Sequence, residues 1–172
     1  LDRSSAASDV YKRQAEYRST DGAGVGAWAW RKRGTGWEVT DGDTGWRDLA
    51  ALCVAPLTAG TVWVRRDGPM VTWRFRTITT SGAGALITVD RYHALSAFMA
   101  DAPDVWGPVM QAIPCPVWRI GQGGSPQWVT VERTTGGPRV FANSAIAAGS
   151  TGSITFRSDA PFPTAPLPGS PA

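Results

Sequence analysis

The sequence predicts an all-β fold, a two-sheet antiparallel sandwich of a jelly-roll-like kind. Strong helix formers are scarce, with seven Leu, three Glu and two Lys among 172 residues, whereas fourteen Val and seventeen Thr suit a pleated strand surface. Twenty Gly and thirteen Pro supply frequent turns between short strands. Hydrophobic residues make up 42% of the chain, which is enough to build the core of one domain.

The first fourteen residues are expected to lie outside this domain. Leu1–Gln14 reads LDRSSAASDVYKRQ, which resembles a translated sequencing adapter and is therefore interpreted as a non-native artefact. The alternative is an ordinary polar tail. If the segment is an artefact, the chain is the C-terminal part of a longer natural protein. The predicted domains are then an artefact at 1–14, a β-sandwich at 15–157 and a Pro-rich extended tail at 158–172.

The first predicted elements are two short strands and a loop. Ala27–Arg31 alternates in polarity and is a strand with Trp28 and Trp30 on one face, and Trp37–Thr40 returns as a second strand. Asp41–Gly45 reads DGDTG, which looks like a calcium loop. Calcium needs six to eight oxygen ligands and a glycine at the sixth position, where this sequence has Trp46, so a plain turn is predicted. The following segment, Trp46–Val54, fits either a strand or one helical turn.

The strongest pattern is a hairpin across Thr61–Thr77, centred on Asp67-Gly68 with a loop widened to Arg66–Pro69 because Pro69 has no N–H to donate. This centring pairs Val64 with Val71. One face is predicted to be buried, and it carries Val62, Val64, Val71, Trp73 and Phe75. The opposite face carries Trp63, Arg65, Thr72, Arg74 and Arg76. A shift of one residue would bury the arginines, so the choice of face is well specified.

The region after the hairpin is less regular. A strand is predicted at Ala85–Val89, followed by an irregular or short helical insertion near 91–115, in which Tyr92–Met99 could form about two helical turns. Prolines are expected to break the rest of the insertion, namely Pro103, Pro108, Pro114 and Pro116. Strands then resume at Val117–Ile120, Trp128–Arg133, Arg139–Ala142 and Ser153–Arg157. The tail at 158–172 is expected to be extended and packed at most peripherally.

The chain has few residues of the types that act in catalysis or bind metals and cofactors. The chain has one histidine, His93, and no local signature of a catalytic nucleophile, metal site or cofactor loop, so no catalytic residue, metal or cofactor is predicted. Cys53 and Cys115 are interpreted as buried structural thiols. The net charge is only +3 and the basic residues are scattered, which disfavours a nucleic-acid partner. No apolar run approaches the length of a transmembrane helix, so membrane insertion is not expected.

Tryptophan is abundant, with nine residues in the chain. Trp28, Trp73 and Trp128 lie in apolar alternations and are predicted to be core residues. Trp63 lies on the arginine face of the hairpin and Trp46 follows a loop. Exposed aromatic and arginine side chains are typical of sugar-binding sites and of subunit interfaces. The candidate receptor or subunit contact is therefore formed by Trp63, Arg65, Arg74, Arg76 and Trp46.

Three stretches resemble a known family, namely GTGWEVTDGDTGWRDL, TAGTVWVRRDGPMVTWRF and the ending GSITFRSDAPFPTAPLPGSPA. Together they resemble the C-terminal region of minor tail proteins of tailed bacteriophages that infect actinobacteria. The match covers most of 22–80 and 127–172. It departs from the family at 90–115, where a short L-P-x-G-F-R-P-like turn is replaced by a longer segment.

The resemblance implies a non-enzymatic structural component of a phage tail tip or fibre, placed in the virion tail after synthesis in the host cytoplasm. It implies a homotrimer that contacts other tail proteins and a host cell-wall glycan. One alternative is a tail-associated glycan depolymerase, which requires a cleft with two carboxylates about 5–10 Å apart. Another is a carbohydrate-binding module of a secreted bacterial protein. For Trp63 itself, the need to cover an indole outside the core favours the subunit contact over the receptor contact.

Overall fold

The computed structural model describes residues 16–18, 27–34, 36–87, 98, 111–119, 125–134, 137–158, 162, 167 and 169–172. The artefact interpretation of Leu1–Gln14 concerns residues outside these ranges. The described segments form antiparallel β-strands and one turn of 3-10 helix at Ala50–Leu52. No helix within them is long and apolar enough to cross a membrane.

Twelve strands are distributed over two sheets in the described ranges. The small sheet has the order β1 (Glu16–Arg18), β2 (Ala27–Arg33) and β3 (Gly36–Gly42). The strands of the large sheet are β4 (Arg47–Asp48), β5 (Leu57–Asp67), β6 (Met70–Thr80), β7 (Gly84–Ile87), β8 (Gln111–Arg119), β9 (Gln127–Thr134), β10 (Gly137–Ala142), β11 (Ser150–Arg157) and β12 (Ser170–Pro171). Their order across the sheet is β12-β4-β5-β6-β11-β8-β9-β10-β7.

The large sheet curls so that its two halves enclose one core. β11 and β8 are joined through only two residue pairs, which lets the sheet fold at this seam. The far edge then returns to the segment after β4, where the N–H of Val54 donates to the carbonyl of Leu86 at 2.8 Å and Cys53 bridges to Ile87. Buried side chains from both halves form a single cluster. The predicted all-β, two-sheet antiparallel sandwich is confirmed.

The hairpin of β5 and β6 buries the predicted face. The five residues of that face are fully buried, namely Val62, Val64, Val71, Trp73 and Phe75. The predicted register was wrong by two residues, because Val64 pairs with Trp73 and the turn is centred on Gly68-Pro69. A turn position needs no N–H from proline, and Gly68 has a positive φ of 52° that suits a tight turn. A shift of two residues keeps every side chain on its face, which is why the predicted faces are correct.

Within the predicted insertion at 91–115, the structure describes Phe98 and residues 111–115. Phe98 is buried, and β8 already begins at Gln111, so the expectation that Pro114 and Pro116 break regular structure is wrong. Successive residues of a strand direct their N–H groups to opposite sides, so prolines two residues apart remove donors from one side only and leave the other side able to pair. β8 pairs along its length with β9, whereas it meets β11 only at Trp118 and Arg119.

The contact between β8 and β11 depends on a glycine. A Cβ at Gly152 would collide with the carbonyl oxygen of Pro116 and lie 2.8 Å from Cγ1 of Val117. Gly152 therefore permits the close approach of the two strands at the seam of the curled sheet.

Two tryptophans predicted to be core residues have described side chains. Trp73 is fully buried, as predicted, and its Nε1 donates to the carbonyl of Phe98 at 3.0 Å. Trp128 is 40% exposed, so its assignment to the core was wrong. Val129 and Val131 of the same strand are buried, and strand alternation places Trp128 on the opposite face. The side chain of Trp28 lies outside the described part of the structure.

The described residues of the predicted extended tail at 158–172 contact the sandwich at several points. We call its described residues (Ser158, Phe162, Leu167 and Gly169–Ala172) the C-terminal strap. The strap begins at Ser158, whose N–H donates to the carbonyl of Pro69 at 2.8 Å, and Leu167 packs against the core. It ends as β12, which pairs with β4 and so covers an otherwise open edge of the large sheet.

The segment Trp46–Val54, predicted to be either a strand or one helical turn, contains both. β4 supplies two strand residues, and Ala50–Leu52 forms a 3-10 turn. Asp48 starts this turn because its Oδ1 accepts the N–H of Ala50 at 2.8 Å. Leu49 between them is fully buried and anchors β4 to the core.

Candidate functional site

Four of the five predicted contact residues meet on the outer face of the large sheet. β5 and β6 place Trp63 directly opposite Arg74, and Arg76 lies two residues further along β6 on the same face. Trp46 immediately precedes β4, the neighbour of β5. We call Trp46, Trp63, Arg74 and Arg76 the Trp–Arg surface.

The Trp–Arg surface is a strip of stacked cations and rings. The Cζ of Arg74 lies 4.2 Å from the ring centroid of Trp46, and the Cζ of Arg76 lies 4.9 Å from that of Trp63. The two indole rings are 6.5 Å apart and tilted by 45°. All three contacts fall within the ranges in which cation–π and aromatic pairs attract. Each indole therefore carries one guanidinium, and the two indoles contact each other.

This packing changes the argument about Trp63. The sequence suggested that its indole needs cover from a neighbouring subunit. The structure instead covers it within the same chain, by Arg76 and Trp46, and leaves Trp63 half-buried. A second subunit is not needed to shield this ring from water.

One polar atom of the strip lacks a partner. The Nε1 of Trp63 is buried and has no hydrogen-bond acceptor among the residues that the structure describes. A buried donor without an acceptor costs about 1–3 kcal/mol. The contacts of the Trp63 ring with Arg76 and Trp46 offset part of this cost.

The two guanidinium groups of the strip carry unneutralised charge. Arg74 and Arg76 are exposed, and their described contacts are with the indole rings. Neither forms an ion pair or a hydrogen bond with the described residues. Their N–H donors thus face solvent.

Arg65, the fifth predicted contact residue, has a different role. Its guanidinium forms a bidentate pair with the carboxylate of Asp43 and approaches Asp67 at 3.3 Å. The hydrogen bonds that Arg65 donates to Asp43 raise the pKa of Arg65, partial burial lowers it, and the negative charges of Asp43 and Asp67 raise it further. Arg65 therefore joins the loop after β3 to the large sheet.

The strap positions Trp46, a connection that sequence reasoning did not find. The N–H of Ala172 donates to the carbonyl of Trp46 at 3.0 Å. The next residue, Arg47, donates from Nη2 to the carbonyls of Leu167, at 3.3 Å, and Gly169. These partners are far apart in sequence, and no local pattern connects them. The Pro-rich composition of the tail signalled an extended chain and gave no sign of where that chain docks.

A buried arginine was also missed. Arg66 lies on the inner face of β5 and is only 4% exposed. Its Nε donates to the carbonyl of Gly68 at 3.0 Å, and its guanidinium lies 5.3 Å from the ring centroid of Phe162 in the strap. The sequence placed Arg66 in the hairpin loop, because the predicted turn was centred one residue too early, on Asp67-Gly68 instead of Gly68-Pro69.

The DGDTG loop and the two cysteines show no sign of metal binding in the described part of the structure. In the DGDTG loop, Oδ1 of Asp43 accepts the N–H of Gly45 at 2.8 Å as well as Nε of Arg65, in keeping with the predicted turn. Among the described residues, no three His, Cys, Asp or Glu side chains are grouped as metal ligands would be. Cys53 and Cys115 are both free thiols, and burial raises the pKa of Cys115 to about 11.

Comparison with known proteins gives little further information. No protein-family model and no curated protein sequence matches the chain. A solved structure, the distal domain of the mouse adenovirus 2 fibre, aligns over 76% of this chain and 85% of that chain, with 11% identity and a TM-score of 0.36. A TM-score of this size does not define a shared fold.

Proposed function

We propose that this chain is a non-enzymatic structural component of a phage tail tip or fibre, and that its Trp–Arg surface contacts the host cell. Two independent findings support the proposal. The sequence resembles the C-terminal region of minor tail proteins of actinobacterial phages. The all-β sandwich displays two indoles on one face, together with two guanidinium groups that have no ion-pair partner among the described residues. The second finding carries the functional part of the proposal.

Host contact suits this surface better than subunit contact. Arg74 and Arg76 are exposed and carry their charge on the outside of a strip whose rings are half-buried by contacts within the chain. Burying both guanidinium groups at the three-fold axis of a trimer, where each surface meets its own copies, would place like charges together, which opposes association. A homotrimer, which the resemblance implies, would then form through another face, and the virion tail is the location that fits such an assembly.

Sedimentation with insoluble cell walls tests the proposal. Purified protein is mixed with walls from a panel of actinobacteria, and the bound fraction is measured. Trp63→Ala should reduce binding strongly, because it removes the ring that supports Arg76. Trp118→Ala is the matched control, because Trp118 is also an exposed tryptophan, 51% exposed, but lies on β8. Binding that falls only in Trp63→Ala supports the proposal.

Two results would contradict it. If the wild-type protein sediments with none of the walls, the host contact is wrong. If Trp63→Ala instead shifts the assembly toward monomer in analytical ultracentrifugation, the strip is a subunit interface. The tail assignment has its own test in the genome: genes for other tail proteins should lie upstream of this one, whereas genes for secreted enzymes would favour a bacterial binding module.

A further inference from the structure

We infer that the Trp–Arg surface binds an acidic polymer of sugars or polyols, one that carries carboxylate or phosphate groups along its length. This inference deepens the proposed function by naming the chemistry of the ligand. Its physical basis is the arrangement of charge and ring surface on β6 and its neighbours.

The first element is a pair of cations at a fixed spacing. Arg74 and Arg76 are two residues apart on one strand, so their Cα atoms lie roughly 7 Å apart and their side chains leave the same face. No described carboxylate neutralises either of them, in contrast to Arg65, which is held by Asp43 and Asp67. The surface therefore presents two neighbouring positive groups along β6, which can bind two negative groups of a polymer at the same time.

The second element is that stacking orients these cations. A guanidinium that lies on an indole uses its flat face for the ring, while its N–H donors point outward from the edges. Those donors match a carboxylate or phosphate in bidentate geometry. Because Trp46 and Trp63 already hold Arg74 and Arg76, less side-chain freedom is lost when the anion binds.

The third element is the half-exposed ring surface beside the charges. Trp46 and Trp63 are tilted by 45° to each other and remain partly open. The apolar face of a sugar ring packs well on such indole surface. The surface thus combines anion recognition with ring stacking.

The carboxylate of Asp48 limits where the negative groups can lie. Asp48 is opposite Trp63 in the pairing of β4 with β5 and faces the same side, and its Oδ1 accepts the N–H of Ala50. Its negative charge repels an anion near the β4 edge. The acidic groups of the ligand should therefore lie over β6, and the sugar rings over the indoles. Nucleic acid fits less well, because specific binding proteins neutralise about six to ten phosphates and this strip offers two cations.

Affinity electrophoresis in native gels tests the inference. The gels contain polygalacturonate as the carboxylate probe, poly(glycerol phosphate) as the phosphate probe, or dextran as the neutral probe, and mobility is referred to a gel without polymer. The wild-type protein should be retarded by at least one acidic polymer and not by dextran, and added NaCl should weaken the retardation. The polymer that retards the protein identifies the source of the negative charge.

Two arginine variants make the test specific. The double variant Arg74→Gln/Arg76→Gln should bind the acidic polymer ~10-fold or more weakly, because two charge-assisted contacts are lost. Arg139→Gln is the matched control. Arg139 also lies on an aromatic ring, 4.7 Å from the centroid of Phe141, but on β10, so its loss should leave binding unchanged.

Several results would overturn the inference. They are an equal loss in Arg139→Gln, retardation by dextran, retardation by duplex DNA as strong as by the acidic polymers, and no retardation by either acidic polymer. The outcomes also separate this inference from the proposed function. If the protein binds cell walls through Trp63 but neither acidic polymer, the host contact stands and the ligand class is wrong. If it binds an acidic polymer but no cell wall, the ligand class stands and the host contact is wrong.

Discussion

Arg65 donates from Nε to Oδ1 of Asp43 at 2.8 Å, and this bond ties the loop after the small sheet to the large sheet. The second bond of the pair joins Nη2 to Oδ2 of the same carboxylate. The side chains are 35% and 16% exposed, so the pair is partly shielded from water. The pair thus joins the DGDTG loop, for which a plain turn was predicted, to Arg65, which was predicted to contact a receptor or a subunit.

Asp43→Asn should lower the free energy of unfolding by about 1–2 kcal/mol, because an amide cannot accept both bonds from Arg65. Asp67→Asn is the control and should cost less than about 0.5 kcal/mol, because that carboxylate is 59% exposed and lies 3.3 Å from Arg65. Urea denaturation measures both values, and a double-mutant cycle with Arg65→Gln isolates the pair. Equal costs for the two variants would show that the bidentate pair does not stabilise the fold.

Trp73→Ala should cost on the order of 3–5 kcal/mol, because it empties a fully buried site and leaves the carbonyl of Phe98 without its donor. Arg74→Ala, on the next residue, should cost less than about 1 kcal/mol, since it removes one exposed cation–π contact. Chemical denaturation followed by circular dichroism compares them. Similar costs for the two variants are incompatible with the assignment of the faces.

Gly169→Ala should detach the strap. Gly169 has a φ of +71°, and a Cβ there would collide with the carbonyl of Asp48 and lie 2.9 Å from Cδ2 of Leu49. Gly149→Ala is the matched control, because Gly149 has a φ of +83° but open space around it. Both variants carry the cost of a left-handed residue, about 1–2 kcal/mol, and only Gly169→Ala adds the collision.

Thermal unfolding and limited proteolysis of the C-terminal segment measure this difference. The melting temperature of Gly169→Ala should lie below that of Gly149→Ala, and its last residues should be cleaved faster. If the two variants behave alike, the strap does not hold β4 in the way described.

Stability should fall as the pH rises from 9 toward 11, and Cys115 should be one cause. Burial raises the pKa of this thiol from 9.0 to about 11 in the folded chain. The unfolded chain therefore loses its proton first, and ionisation favours unfolding between these two values, by at most about 1.4 kcal/mol per pH unit. Below pH 9 the contribution of Cys115 to stability is fully present.

Urea denaturation at several pH values measures this effect. Cys115→Val should reduce the dependence of the free energy of unfolding on pH between pH 9 and 11. An unchanged slope would mean that the thiol does not ionise differently in the two states.

Local patterns predicted the part of the fold that depends on alternation. The hairpin faces followed from Val62, Val64 and their partners, because period-two alternation survives an error of two residues in register. The same alternation placed Trp63, Arg74 and Arg76 on one outer face, where the structure brings them together. Trp46 was added because it follows a loop, and its stacking with Arg74 depends on the pairing of β4 with β5.

What the sequence could not show depends on contacts between distant segments. The pairing of Asp43 with Arg65 needs the loop after β3 to reach β5, and no periodicity encodes that approach. Pro114 and Pro116 predict a break in an isolated segment, but in the folded chain both lie within the pairing of β8 with β9, while the residue pairs of β8 with β11 are at Trp118 and Arg119. The docking of the strap on β4 is a matter of tertiary packing that composition alone does not specify.

The strap also determines when the Trp–Arg surface can be complete. Synthesis proceeds from the N-terminus, so Trp46, Trp63, Arg74 and Arg76 leave the ribosome well before residues 169–172. Until those residues emerge, the edge of β4 beside Trp46 has no covering strand and can pair with a strand of another nascent chain. Chains that lack β12 should therefore expose this edge and aggregate through it.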